Sequence, residues 1–359
     1  MIPKSQIVNL PVYEPGKPIE DVKRELGLTE VIKLASNENP FGYSPNVREA
    51  LLSQLDHLPI YPDGACLELR EAVASFLGVK GDELVFGNGS DELVVLITRA
   101  YLQGGTNTIM AVPTFSVYKT NAEIEGADVI EVPSIEGAHD LDGMLAKVDE
   151  RTRVIWICNP NNPTGTMITE TELVRFLNQV PDHVLVVLDE AYSEYVKSEE
   201  YPNSIKLMDE YKNLIILRTF SKIYGLAALR VGYGIASAEI IDKLNRVREP
   251  FNVNHLAQKA ALAALADQEF VRSCQQANAE GLQQMYAGLD ELGVKYYRSE
   301  TNFVYIMPER DSREIFNEML KLGIIIRAFP EAIRVTVGSR EQNEKMLAAM
   351  RAVLTPTAS

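Results

Sequence analysis

Apolar and polar residues come in blocks along this chain. Seven short runs are aliphatic or β-branched and are bounded by Gly, Pro or Asn: LVFGNG (84–89), NTIMAVP (107–113), DVIEVP (128–133), RVIWICNP (153–160), HVLVVLDE (183–190), NLIILRTF (213–220) and GYGIA (232–236). Each predicts a strand buried on both faces. Helical stretches such as SDELVVLITRAYL (90–102) and TETELVRFLNQV (169–180) lie between them. Alternation of this kind predicts an α/β fold, a mostly parallel central sheet with helices on both faces. After about residue 238 the texture changes. A long helical region (238–292) leads into VKYYRSETNFVYIMP, a helix SREIFNEMLKLG, strands IIIRAF and AIRVTVG, and a last helix from Ser339. That pattern predicts a smaller α+β unit. The expected division is a large domain at 31–250, with residues 1–30 and 251–359 forming an N-terminal arm and a small C-terminal domain.

Composition narrows the classes of function. Hydrophobic residues make up 46% and charged residues 24%, as in ordinary globular proteins. The formal charge of −15 argues against a nucleic-acid binder or a polybasic membrane-surface protein, both of which need a basic face. The three cysteines are widely spaced with no C-x-x-C pair, and none of the four histidines is spaced H-x-x-x-H. Neither a disulfide framework nor a metal centre is expected. The first residues lack the apolar stretch of a secretory signal, and no apolar run approaches the ~18 residues of a membrane span, so a cytoplasmic location is expected.

In open parallel sheets, ligands bind beyond the carboxyl ends of the strands, so the residues there carry the candidate chemistry. Ser90 and Asp91 follow the first run and open a helix, which suits either a phosphate or simple capping. Asn162 lies in the rigid loop Asn159-Pro160-Asn161-Asn162-Pro163-Thr164-Gly165, which reads equally as a tight turn or as an amide held against a ligand. Asp189 ends a strongly apolar strand, where a carboxylate needs a partner; it reads as a helix cap or as the mate of a protonated ring nitrogen. Lys222 follows Thr219-Phe220-Ser221 and precedes a loop ending in Arg230. A desolvated lysine there would have a lowered pKa and could capture a carbonyl. A nicotinamide-binding sheet is disfavoured, because Gly87-Asn88-Gly89-Ser90-Asp91-Glu92 puts Glu92 where the third glycine belongs.

Together GSDE, NPNNPTG, DEAY and SKIYGLAALRVGY, in this order, resemble the fold-type-I aminotransferases that use pyridoxal 5'-phosphate. The resemblance spans essentially the whole chain. It implies that Lys222 binds the cofactor's carbonyl carbon and then carries the proton, that Asp189 partners the ring nitrogen, and that Asn162 and Tyr192 bond the ring's phenolate oxygen. Phe115 would stack on the ring. The amides of Ser90 and Asp91, with Thr219, Ser221 and Arg230, would hold the phosphate. Tyr61 resembles a tyrosine that reaches the phosphate of a neighbouring subunit, which implies a homodimer with shared active sites. Within the family, Tyr13-Glu14-Pro15-Gly16 and Leu34-Ala35-Ser36-Asn37-Glu38-Asn39-Pro40 are most similar to the histidinol-phosphate aminotransferases of histidine biosynthesis. That likeness implies histidinol phosphate and glutamate/2-oxoglutarate as substrates, held by Tyr13, Asn37, Arg327 and Arg334. Arg334 is expected to take glutamate's α-carboxylate, with Tyr13 and Arg327 on the distal anion. The connection from Ala328 to Ile333 is short, and its Glu331 would weaken anion binding if it faced inward. Related branches act on aromatic amino acids or decarboxylate threonine phosphate. A non-catalytic pyridoxal-binding regulator would need an added DNA-binding segment.

Overall fold

The computed structural model describes residues 1–12 and 16–354. The seven apolar runs form one seven-stranded sheet. In spatial order its strands are Leu84–Gly87, Gly232–Ala236, Leu214–Thr219, Leu185–Asp189, Thr152–Cys158, Asn107–Val112 and Asp128–Pro133. Five run parallel in an unbroken series. Gly232–Ala236 alone is inserted antiparallel, between Leu84–Gly87 and Leu214–Thr219.

Alternation along the central strands explains how both faces are buried. Ile155, Ile157, Val186, Leu188, Leu214 and Ile216 enter the core on one side. Val154, Trp156, Leu185, Val187, Ile215 and Leu217 enter the core on the other. Side chains of successive strand residues point to opposite faces, so a run with no polar position must be covered twice. The helix Ser90–Tyr101 packs into the second core through Leu93, Val94, Leu96 and Ile97. The helix Glu170–Leu177 packs into the first through Leu173, Phe176 and Leu177, after a capping box between Thr169 and Glu172.

The second unit is built on a four-stranded antiparallel sheet, Arg327–Phe329, Ala332–Thr336, Phe303–Met307 and Lys295–Tyr296 in spatial order. Two details differ from the sequence pattern. The region 238–292 is three helices, Ala238–Val247, His255–Ala266 and Gln268–Glu291, because Pro250 and the caps Asn254 and Asp267 break it. The run IIIRAF is also split: Ile324–Ile325 pairs in parallel with Ile32–Lys33, and Arg327–Phe329 joins the four-stranded sheet.

Packing crosses residues 31 and 250. Ile32 and Leu34 belong to the core of the C-terminal unit. Val253, Ala257, Ala260, Ala261 and Ala264 belong to the core under the seven-stranded sheet. Among the described residues no helix is long and apolar enough to cross a membrane, and no cluster of His, Cys, Asp or Glu could hold a metal ion.

Candidate active site

One cavity of about 760 Å³ opens at the carboxyl ends of the parallel strands. Ser90, Asp91, Phe115, Asn162, Asp189, Tyr192, Thr219, Ser221, Lys222, Arg230, Asn37, Arg327 and Arg334 all line it. The fold thus brings together every sequence candidate except two. Tyr13 lies outside the described residues. Tyr61 is 80% exposed, lies outside this cavity and stacks on Phe251 with ring centres 4.9 Å apart.

Asp189 ends its strand at 3% exposure. Its Oδ2 accepts a 2.5 Å hydrogen bond from the Tyr118 hydroxyl, and its Oδ1 accepts one from the Ala191 amide at 3.2 Å. Burial pushes its pKa up to about 6, although both donors oppose the shift. Lys222 follows the next strand. Burial, with the nearby Arg334 guanidinium, brings its pKa down to about 8, so a neutral amine is within reach near neutrality. Its Nζ lies 5.6 Å from the centre of the Tyr192 ring. The Tyr192 hydroxyl accepts from Asn37 Nδ2 at 2.9 Å.

At one end of the cavity the chain forms a small cradle for an anion. Gly89 precedes the helix Ser90–Tyr101 with φ of 78°, in the left-handed region that glycine adopts most easily. A Cβ on Gly89 would run into Arg230 Nη2. Arg230 donates to Ser221 Oγ at 3.2 Å and to Asp91 Oδ2 at 3.1 Å, and Thr219 Oγ1 accepts from the Ser221 amide at 3.0 Å. First-turn amides, a hydroxyl and a planar guanidinium are a donor set suited to a phosphate group. Ser90 is the first helical residue, and the N-cap is Gly89. With a buried carboxylate and a lysine of lowered pKa beside this cradle, the residues fit pyridoxal 5'-phosphate.

At the other end stand two arginines. Arg327 and Arg334 are direct partners across an antiparallel pair, so they share a face. Arg334 donates to Asn162 Oδ1 at 2.5 Å and to the Ala35 carbonyl at 2.7 Å. Its guanidinium carbon lies 5.1 Å from the centre of the Phe303 ring. The short connection makes a tight hairpin in which Phe329 faces Ala332, and it leaves Glu331 exposed and away from the cavity. Two residues escaped the sequence reading. Tyr118 holds Asp189, and its one sequence signal is i,i+3 spacing from Phe115 in PTFSVY. Ala35 acts through its carbonyl, which no sequence pattern reveals.

The fold and the site define a class. The chain belongs to the aminotransferase class I and II family, whose model matches residues 29–350. Within it, the chain is 57% identical to the histidinol-phosphate aminotransferase of Brevibacillus brevis over 99% of both chains, and 55% identical to that of a Geobacillus species over 98% of both. Among solved structures, it resembles a histidinol-phosphate aminotransferase from Sinorhizobium meliloti in complex with pyridoxal-5'-phosphate. The TM-score is 0.90 at 28% identity, covering 98% of this chain and 96% of that one. A Thermus thermophilus aspartate aminotransferase mutant shares the fold, with a TM-score of 0.85 at 22% identity over 99% of this chain and 100% of that one.

Proposed function

We propose that this chain transfers the amino group of L-histidinol phosphate to 2-oxoglutarate, giving imidazole-acetol phosphate and L-glutamate in histidine biosynthesis, with pyridoxal 5'-phosphate as cofactor. The observation that carries the reading is the convergence of Lys222, Asp189, the Arg230 cradle and the Arg327–Arg334 pair on one cavity. Relatives of that name, 57% and 55% identical over nearly the full chain, support histidinol phosphate over aromatic amino acids.

When bound, pyridoxal phosphate supplies a carbonyl carbon that condenses with amines and a ring that withdraws electrons from the adjoining carbon. The first-turn amides of Ser90 and Asp91, with Ser221, Thr219 and Arg230, would hold its phosphate. Asp189 would hold a proton on the ring nitrogen. Asn162 and Tyr192 would bond the phenolate oxygen, and Phe115 would cover one ring face. Lys222 would hold the cofactor's carbonyl carbon, and its Nζ, when neutral, would accept and carry the proton from the substrate carbon that bears the amine. Arg327 and Arg334 receive the anions, a phosphate from one substrate and carboxylates from the other. Planar guanidiniums pair with either group, which lets one site serve both half-reactions.

Tyr61 finds no role within its own protomer. Around it Leu55, Leu58, Ile60, Leu67 and Phe251 are exposed, an apolar face of the kind buried between subunits. The reading is a homodimer in which Tyr61 reaches the partner's phosphate cradle. The enzyme is expected to work in the cytoplasm.

Two measurements test this. Borohydride reduction of the yellow protein should fix the cofactor's mass on the peptide containing Lys222; a label on another lysine removes the active-site assignment. With 2-oxoglutarate as acceptor, kcat/KM should favour histidinol phosphate over phenylalanine by about 10² or more, as expected when a site built for a polar group meets a substrate lacking it. A preference for phenylalanine overturns the substrate.

A further inference from the structure

Tyr118 is the residue behind this cavity wall whose placement the family motifs leave unexplained. It is fully buried on the helix Val117–Ile124, beneath the cavity. Its hydroxyl donates to Asp189 Oδ2 at 2.5 Å, 71 positions away in sequence. Its ring lies flat on Trp156, with centres 4.6 Å apart and planes 12° apart. Its edge meets Phe115 at 5.4 Å and 85°. Trp156 is in turn fixed, because its Nε1 donates to Thr108 Oγ1 at 2.8 Å and that hydroxyl donates to the Val154 carbonyl at 2.8 Å. The phenol therefore cannot swing away from the carboxylate without unstacking a buried indole.

We propose that Tyr118 is a positioning residue for the cofactor ring: its hydroxyl occupies Oδ2 of Asp189 and fixes the carboxylate plane, so that Oδ1 is presented to the ring nitrogen.

The physical need is plain. Among the described residues Asp189 has two hydrogen-bond donors, Tyr118 and the Ala191 amide, and no ion pair. A carboxylate this buried is held ionised by such donors and loses that support when one is removed. The phenol does not compete for the proton, since burial and the carboxylate itself push the Tyr118 pKa well above its ordinary value. Tyr118 therefore stays a donor throughout. Because the same ring supports Phe115, one residue sets both the in-plane contact and the stacking partner of the cofactor.

This inference rests on the pyridoxal phosphate reading, and its test separates the two. Tyr118→Phe removes one oxygen and keeps the stack on Trp156 and Phe115. The dissociation constant is measured by fluorescence titration of the apoprotein, with pyridoxal phosphate and with its 1-deaza analogue, which has carbon in place of the ring nitrogen. The expected result is a loss of about tenfold for pyridoxal phosphate, in line with one hydrogen bond to a charged group, and less than twofold for the analogue. Equal losses for the two ligands would make Tyr118 a packing residue, and no loss for either would remove it from the site; both results overturn the proposal. Asp189→Asn supplies the second check. In that background Tyr118→Phe should leave pyridoxal phosphate affinity unchanged, and a persisting loss would show that Tyr118 does not act through Asp189. If the unaltered protein binds neither ligand, the cofactor reading itself falls.

Discussion

Lys222 and Asp189 are displaced from their ordinary acidities by the same cause, burial, and with opposite consequences. The lysine's pKa falls from 10.5 to about 8 on folding. Between those values the unfolded chain carries more protons than the folded one, so this group adds stability as pH rises through that window. The carboxylate's pKa rises from 3.8 to about 6. Its contribution is present below the unfolded value and is lost as pH climbs to about 6 in the apoprotein. A bound cation on the ring nitrogen would offset that loss. The kinetic consequence lies with the lysine. The rate at which apoprotein captures pyridoxal phosphate should rise with pH around a midpoint near 8, as followed by stopped-flow absorbance. A midpoint near 10.5 would mean that the amine is not desolvated. Both residues are legible in the sequence, because a charge at the end of an apolar strand stands out. The neighbours that adjust those shifts are not, since Tyr118, which restrains the rise at Asp189, and Arg334, which deepens the fall at Lys222, lie 71 and 112 positions away in sequence.

The site is a property of strand ends, and strand ends were the readable part of this chain. Runs such as HVLVVLDE carry no polar position until they stop, so their limits match the observed Leu185–Asp189 and its neighbours closely. The small unit was harder. IIIRAF is uniformly apolar up to Arg327, and only its partners, Ile32–Lys33 and Ala332–Thr336, reveal that it serves two sheets. Behind the sheet's carboxyl edge lies one costly element. Glu190 is fully buried and pairs with Arg218 at 2.8 Å, tying the strand that carries Asp189 to the one that leads to Lys222. Removing one partner of a buried pair strands the other charge. Glu190→Ala should therefore destabilise the protein by about 3 kcal/mol, measured by urea denaturation. Glu190→Ala within about 0.5 kcal/mol of wild type would mean that the pair is dispensable to the edge.

At the scale of the molecule, two halves meet over one cavity and a third contribution is expected from outside the chain. Tyr61 and the exposed leucines near it predict a particle of twice the 40.0 kDa chain mass by sedimentation equilibrium. Tyr61→Phe should preserve that mass and release pyridoxal phosphate about tenfold faster, as expected for one lost bond to a charged group. An unchanged release rate would place Tyr61 outside the partner's site. The class of fold was legible over its whole length because parallel sheets advertise themselves through apolar runs. The expected assembly rests on one tyrosine, through resemblance, because a face that another copy would bury looks in sequence like any other surface.

The stretch from Ala35 to Asn37 bears on when the pocket can form. Ala35 receives Arg334, and the Asn37 amide donates to Thr336 Oγ1, partners that emerge 299 residues later. Contacts so distant along the chain form late, because long loops must close first. A growing polypeptide can assemble its great sheet on the ribosome, yet the pocket stays unfinished until synthesis is nearly complete. Chains that end before the final hairpin lack Arg327 and Arg334, and with them the anion-facing wall of the cavity.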